Sequence, residues 1–467
     1  MNGISPEALK RVREELAGIV GPAYVRDDQE NRQKYGSDET EDLSFPPDLV
    51  VFPADAGEIS RIFRVAGAYQ IAVTPRGGGT GLSGGALPVH AGIVLSLERM
   101  NRILSIDTAN LQATVQPGVT TQRLQEEVEA LGLFYPPDPA SRGTCQIGGN
   151  LAECAGGPRA VKYGVTKDYI LELEAVLPTG EIITCGAPVL KNVTGYNLTQ
   201  LLIGSEGTLA VVTRAVVRLI PLPRARQTLL VAFHSLEDAA AAVAAIFQAG
   251  ITPSALEFME RAAVKAAEDR QGKRFPNGEA GAQLFIEVDG GDAEMLTRDA
   301  EEIAAVVERC GALDMVVAAD KQKTEEVWNL RRGIGEAVKS ISAYKEEDTV
   351  VPRAHLPQLV AGVKEICGRW HITSICYGHA GDGNVHVNLL RLNMSEGEWE
   401  SASDRAIEEI FRLTISLGGT ISGEHGIGYS QKRYLPLAVG QTELELMKRI
   451  KAAFDPQGIL NPGKMFP

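Results

Sequence analysis

The chain has 467 residues, 44% hydrophobic and 23% charged, with 46 basic against 60 acidic side chains for a net charge of −14. That length exceeds one ordinary core and allows two or three domains, so a single small module is excluded, and the composition is that of a folded globular protein. The acidic balance argues against a nucleic-acid partner.

Taken from the N-terminus, MNGISPEALKRVREEL lacks a signal-peptide core and reads as a helix capped by Ser5 with Pro6 in its first turn. No stretch approaches the ~18 continuous apolar residues of a membrane span, and the alanine-rich run at 239–247 is too short. These features predict a cytoplasmic protein without a transmembrane segment. From residue 49 short apolar runs alternate with amphipathic helices: strands are expected at 49–52, 71–74, 93–97 and 113–116. Asp55 with Glu58 reads as a capping box for a helix to Tyr69, and a helix over 121–131 closes at Gly132.

Directly after the run at 71–74 comes PRGGGTGLSGG, residues 75–85, with six glycines in eleven positions. Without Cβ atoms such a backbone turns sharply and aims successive N–H groups at one anion, which makes a phosphate cradle. No Gly-Lys-Ser/Thr follows and no long helix opens here, so it is neither a Walker loop nor a dinucleotide fingerprint. A plain glycine-rich surface loop is the alternative. Two later segments weigh against it. Residues 136–157, PPDPASRGTCQIGGNLAECAGG, repeat the recipe with a glycine turn that opens a short helix, whose N-terminus favours phosphate. Residues 203–213, IGSEGTLAVVT, run a polar turn into a β-branched strand. Two cradles and a polar turn suit a two-phosphate ligand with a long organic body. The candidate binding residues are Pro75, Arg76, Gly77, Gly78, Gly79, Thr80, Gly81, Ser83 and Gly84 in the first segment. In the second they are Pro137, Asp138, Ser141, Thr144, Gly148, Gly149, Asn150, Gly156 and Gly157, and in the third Glu206 and Gly207.

The proline-rich step at 221–223 marks a boundary. Beyond it the order is strand (229–233), helix (236–249), strand (255–259), strand (283–288), helix (293–309) and strand (313–317), a βαββαβ or ferredoxin-like arrangement with a helix inserted at 261–269. A long helix through Trp328, strands near 373–377 and 384–390, and a helix at 398–417 complete this cap. The domain expectation is 1–223, 224–425 and a separate C-terminal segment, 426–467.

Two motifs in the later half carry chemistry. In YGHAGDGNVHVN, residues 377–388, the turn 381–383 lets His379 and His386 approach across paired arms, while His386 and Asn388 share a face. Glu424 and His425 follow in a glycine-rich loop. A histidine pair across a hairpin also occurs as a hydrogen-bonded structural pair. With Glu424, however, His379 and His386 form two nitrogens and a carboxylate, a set that suits a divalent metal, with zinc, manganese and iron as candidates. His425 is the candidate general base, because imidazole titrates near neutrality. The six cysteines form no CxxC pair and no cluster spacing, so reduced thiols are expected and the chain offers no electron relay.

Together PRGGGTG, IGGN, AGG, VKYG, IGSEGTLA and the terminal NPGK resemble the FAD-linked 2-hydroxy-acid dehydrogenases of the vanillyl-alcohol-oxidase superfamily, in particular its glycolate oxidase flavoprotein and D-lactate dehydrogenase branch. The match runs in order from residue 50 to the C-terminus. It implies an α+β protein with a PCMH-type FAD-binding domain and a cap, oxidising a small 2-hydroxy acid to the 2-oxo acid. By resemblance, His379, His386 and Glu424 hold the metal, Arg331 and Lys345 bind the substrate carboxylate, Asn388 joins the pocket, and Asn461 of the tail reaches the flavin. Where some relatives attach flavin through histidine this chain has Gly79 or Thr80, which implies noncovalent FAD. The electrons would pass to a separate acceptor: an iron–sulfur subunit, which would make a hetero-oligomer, an electron-transfer protein or a quinone. The rival readings are a flavin-dependent transferase of the alkylglycerone-phosphate synthase kind and a noncatalytic flavin-binding subunit.

Overall fold

The computed structural model describes residues 5–318 and 320–467. The chain forms two compact units. One contains residues 1–156, 165–222 and 424–467, and the other contains 157–164 and 223–423.

In the first unit the helix Pro6–Val20 is capped by Ser5, whose hydroxyl accepts the Ala8 N–H. A four-stranded sheet follows, made of β1 (Val25–Arg26), β2 (Leu49–Val51), β3 (Val73–Arg76) and β4 (Ile93–Ser96), in the order β1-β2-β4-β3. β2, β4 and β3 are parallel, as the crossover helix Ala56–Tyr69 requires. That helix and Pro6–Val20 bury Leu16, Ile59, Ile62 and Phe63 against Val73, Ile93 and Leu95. The third strand begins two residues later than its apolar run suggests. Gln70 closes the helix at φ +55 and the Ile71 N–H returns to the Ala66 carbonyl, so the chain is still leaving the helix at 71.

A five-stranded antiparallel sheet packs next in sequence: β5 (Ile103–Asp107), β6 (Gln112–Val115), β8 (Ile170–Val176), β9 (Ile182–Gly186) and β10 (Val211–Arg218), ordered β5-β6-β10-β8-β9. β7 (Leu133–Phe134) pairs with β11 (Ile220–Pro221). The tail returns to this unit, where Leu460 bridges Val73 and the Asn461 N–H donates to the Val73 carbonyl at 2.8 Å.

The second unit is built on a seven-stranded antiparallel sheet. Its strands are β12 (Ala225–Phe233), β13 (Ala255–Glu260), β14 (Ala282–Gly290), β15 (Ala312–Val317), β16 (Tyr344–Val350), β17 (Thr373–Gly378) and β18 (Asn384–Leu390), in the order β15-β12-β14-β13-β17-β18-β16. The first four, with helices Leu236–Gln248 and Ala293–Arg309, are the ferredoxin-like unit expected from the sequence, and the other three extend it beyond β13. The inserted helix, Arg261–Gln271, joins Lys321–Arg332 and Ile334–Lys339 in a core around Met259, Phe285, Trp328 and Tyr377.

Register decides which side chains share the face under those helices. Asp348, His386 and Tyr377 lie in one row, and Glu346, Asn388 and Ile375 in the next. Residues 157–164 dock on the same unit, where Asp289 accepts both the Lys162 ammonium at 2.6 Å and the Tyr163 hydroxyl at 2.8 Å. Among the described residues no helix is long and apolar enough to cross a membrane.

Candidate active site

The glycine-rich segments of the first unit come together because they lack side chains at their contacts. A Cβ at Gly78 would lie 2.5 Å from the Thr144 carbonyl oxygen, and one at Gly77 would lie 3.3 Å from the Gly149 nitrogen. The first loop therefore rests directly on the second. Gly79 and Gly84 turn at φ +68° and +76°, and a Cβ at Gly148 would meet Pro117 at 2.8 Å. At Gly81 and Gly149, by contrast, nothing lies within 4 Å of where a Cβ would point. Open space beside closely packed glycine backbone is what a phosphate cradle requires, so these residues fit an FAD.

Several of the expected binding side chains hold the cradle itself. Arg76 is buried, donates to the Ser37 carbonyl at 2.7 Å and lies over the Tyr35 ring. The carbonyl of Pro137, beside buried Asp138, accepts the Gln125 amide. Thr144 closes its own turn by donating to the Ser141 carbonyl, and Asn150 donates to the Thr121 hydroxyl. Gly207, at φ +63°, packs on the Pro75 ring. Asn461, 2% exposed, donates its amide to the carbonyls of Gly85 and Glu206 and so pins two glycine-rich turns together. Thr80 is half-buried beside them. Gly156 packs against the Glu424 side chain, and Gly157, at φ +127°, opens the segment that leaves for the second unit.

Two ionisable groups here were not singled out in the sequence. Burial pushes the Glu153 carboxyl well above its ordinary range, and the neighbouring charges of Glu206 and Asp38 add to this. Burial also pushes the Lys464 ammonium down to about 8, although Asp38, Glu206 and Glu153 oppose the shift. A lysine in NPGK reads as a solvated tail residue, and only the return of the tail reveals it. In the same unit His425 Nε2 lies 4.0 Å from Glu424 Oε1.

In the second unit His379 and His386 meet edge-on, with ring centres 5.2 Å apart, as the hairpin predicts. Glu257 of β13, fully buried, takes the His379 Nδ1 at 2.8 Å and the Arg331 guanidinium at 2.5 Å. Burial opposes its charge, yet His379 and Arg331 bring its carboxyl below the ordinary value. With Nδ1 donating to Glu257, the ring's lone pair lies on Nε2, and the histidine pair fits a divalent metal. Asp348 accepts from the Asn384 amide, the Gly423 N–H at 2.8 Å and the Ser422 hydroxyl at 2.9 Å, which fixes the turn immediately before Glu424. Tyr377 donates to Glu346 at 3.3 Å, and burial together with that carboxylate raises its hydroxyl pKa. Asn388 is fully buried beside it, with neither amide atom in a well-formed hydrogen bond.

Lys345 departs from its expected role. The period of two turns it away from the face of Glu346 and Asp348, and its ammonium pairs with Asp404 of the helix Glu396–Ser416 at 3.1 Å. That ion pair lies on the opposite side of the strand from Glu346 and Asp348. Arg331 does lie with the histidines, already neutralised by Glu257. That glutamate, unnoticed in the sequence, stands on a strand distant from both its partners, and only the sheet order reveals it.

Comparison with known proteins agrees with this geometry. Residues 47–186 match the FAD binding domain family, and 222–465 match the C-terminal domain of the FAD linked oxidases. Glycolate oxidase subunit GlcD of Bacillus subtilis (strain 168) is 41% identical over 98% of this chain and 97% of its own. A D-lactate dehydrogenase of Anaerostipes hadrus is 36% identical over 99% and 98%. Among solved structures, p-cresol methylhydroxylase superposes with a TM-score of 0.82 over 99% of this chain and 98% of its own, at 16% identity, a likeness of fold. The chain belongs to the FAD-linked oxidase family with a PCMH-type flavin domain. It is an FAD-linked oxidoreductase.

Proposed function

We propose that this protein oxidises a small 2-hydroxy acid, of the glycolate or D-lactate type, to the 2-oxo acid and passes the electrons to a separate acceptor. The observation that carries the reading is the set of buried polar residues of the second unit, His386, Asn388 and Arg331 with His379, which Glu257 aligns. FAD is held without a covalent link by the segments 75–85 and 137–157, by the backbone of the turn 206–207 and by Asn461, and when bound it supplies the hydride acceptor. His379 and His386, with Glu424 next in the chain after the anchored Gly423, would hold a divalent metal, which would lower the pKa of the substrate hydroxyl. His425 takes that proton at its imidazole nitrogen. Arg331 and the Asn388 amide orient the substrate carboxylate through N–H donors. The acceptor is a partner protein with its own centres, an iron–sulfur subunit foremost, or a quinone, and the site of action is the cytoplasm.

Anaerobic mixing with D- and L-hydroxy acids, followed by flavin absorbance and metal analysis, tests the whole reading. His379→Ala should lose the metal and keep FAD. His425→Ala should keep both, still bind a 2-oxo acid, and slow flavin reduction by roughly two to four orders of magnitude. Native-rate reduction in His425→Ala would remove the base from this assignment, and a fully active metal-free enzyme would return the histidine pair to a structural role.

A further inference from the structure

Glu206 lies in the polar turn that the sequence assigns to the flavin, but its carboxylate faces elsewhere. It is 5% exposed and held at φ +52°, with its N–H donating to the Ala152 carbonyl at 2.8 Å and its carbonyl accepting from Asn461. The backbone is thus fixed on both sides. The carboxylate accepts two successive backbone N–H groups, Ile427 on Oε1 at 2.8 Å and Gly428 on Oε2 at 2.6 Å.

The receiving loop is shaped for that contact. Gly426 and Gly428 are both left-handed, at φ +81° and +52°, and neither has room for a side chain. A Cβ on Gly426 would fall 2.2 Å from Glu153 and 3.1 Å from Glu206, and one on Gly428 would fall 2.1 Å from the Ser83 carbonyl oxygen. Successive N–H groups in such a conformation form a nest for an anion, and here the anion is supplied by the protein. The next two N–H groups, of Tyr429 and Ser430, donate to the Ser83 carbonyl at 2.8 and 3.1 Å. Four consecutive amides beginning two residues after His425 are therefore tied to two fixed acceptors.

We infer that Glu206 is a positioning residue for His425, holding the loop 424–428 by its backbone so that the imidazole is presented in one place. The inference rests on the reading of His425 as the base. Charge on Glu206 serves the loop, and flavin retention rests on the glycine segments, Asn461 and their backbone donors.

The test compares Glu206→Ala and Glu206→Gln with the native flavoprotein. The readouts are FAD content, hydrogen exchange of the peptide spanning 424–430, binding of oxalate as an unreactive carboxylate probe, and anaerobic flavin reduction by D-lactate or glycolate, whichever the native enzyme oxidises. Glu206→Ala should keep about one FAD per chain, exchange at 427 and 428 at least tenfold faster, and reduce its flavin ~10–100-fold more slowly at saturating substrate, the scale expected of a displaced catalytic group. Oxalate affinity should change little. Glu206→Gln, which retains the shape and one acceptor oxygen, should fall between the two in exchange and rate. Loss of FAD with native exchange in the loop would make Glu206 a flavin ligand and overturn the inference, as would native-rate reduction in Glu206→Ala. His425→Ala measured alongside separates the two levels. If it reduces at the native rate, the base assignment fails. If it is slow while Glu206→Ala is not, only the positioning role fails.

Discussion

Lys464 is 4% exposed, and its ammonium donates to the carbonyls of Leu87 and Gly85 and to Asn461 Oδ1. The unfolded chain binds this proton up to the ordinary lysine range, near 10.5, whereas the folded one releases it near 8. Between those values the unfolded state carries more protons, so the contribution of this group to stability rises with pH, and below pH 8 the penalty is constant. Lys464→Met removes that dependence. Urea unfolding of FAD-free protein should show native stability rising relative to the variant by about 2–3 kcal/mol between pH 7.5 and 10. A difference that stays flat would mean that the ammonium is not desolvated in the fold. Single residues were unevenly legible in the sequence. The histidine hairpin could be read because turn and alternation are local, while the partner that orients it, Glu257, is 122 residues away and ordinary in context. Lys345 shows the converse, since resemblance assigned it to the substrate while strand alternation turns it from the face of Glu346 and Asp348 toward Asp404.

Between elements, the contact of the loop after β3 with the turn at 144–149 depends on Gly78. Gly78→Val places atoms where the Thr144 carbonyl stands 2.5 Å from the Cβ position, so the two glycine-rich segments must separate. Overpacking of this kind costs about 1–3 kcal/mol. The variant should fold but emerge from purification with little FAD, whereas Gly81→Ala, which faces open space, should retain more in the same absorbance assay. Full occupancy in Gly78→Val would show that the two loops bind FAD independently. The mechanism differs from simple bulk against phosphate, because the glycine is needed for its protein neighbour. Helix Ala293–Arg309 was legible to both ends from its periodicity, and the ferredoxin-like order followed from alternating helices and strands. The five-stranded sheet was mostly hidden. β8, ILELEAV, carries Glu172 and Glu174 in mid-strand, which disguises a central strand until Arg214 of β10 is seen pairing with both.

At the scale of the whole molecule, each unit draws on distant parts of the chain. Residues 157–164 lie between segments of the first unit yet serve the second, and nothing local to GPRAVKYG announces Asp289 as its partner. The tail closes the first unit through Leu460, Asn461 and Lys464. Deleting residues 459–467 should therefore abolish FAD retention and lower the unfolding midpoint of the first unit, read by flavin content and thermal denaturation. A truncated protein that keeps its flavin would confine the tail to a decorative role.

The bridge between Val73 and Leu460 also sets a timetable for the cell. Domains tend to form during synthesis from the N-terminal side, at about 5–20 residues per second, so β3 is made tens of seconds before the segment that completes it. For that interval the flavin loops exist without their clasp. The second unit has all its strands by residue 390 and can assemble while the first is still waiting. Cofactor capture is then a late event in the life of each new chain, and a supply of FAD matters most after translation has nearly finished.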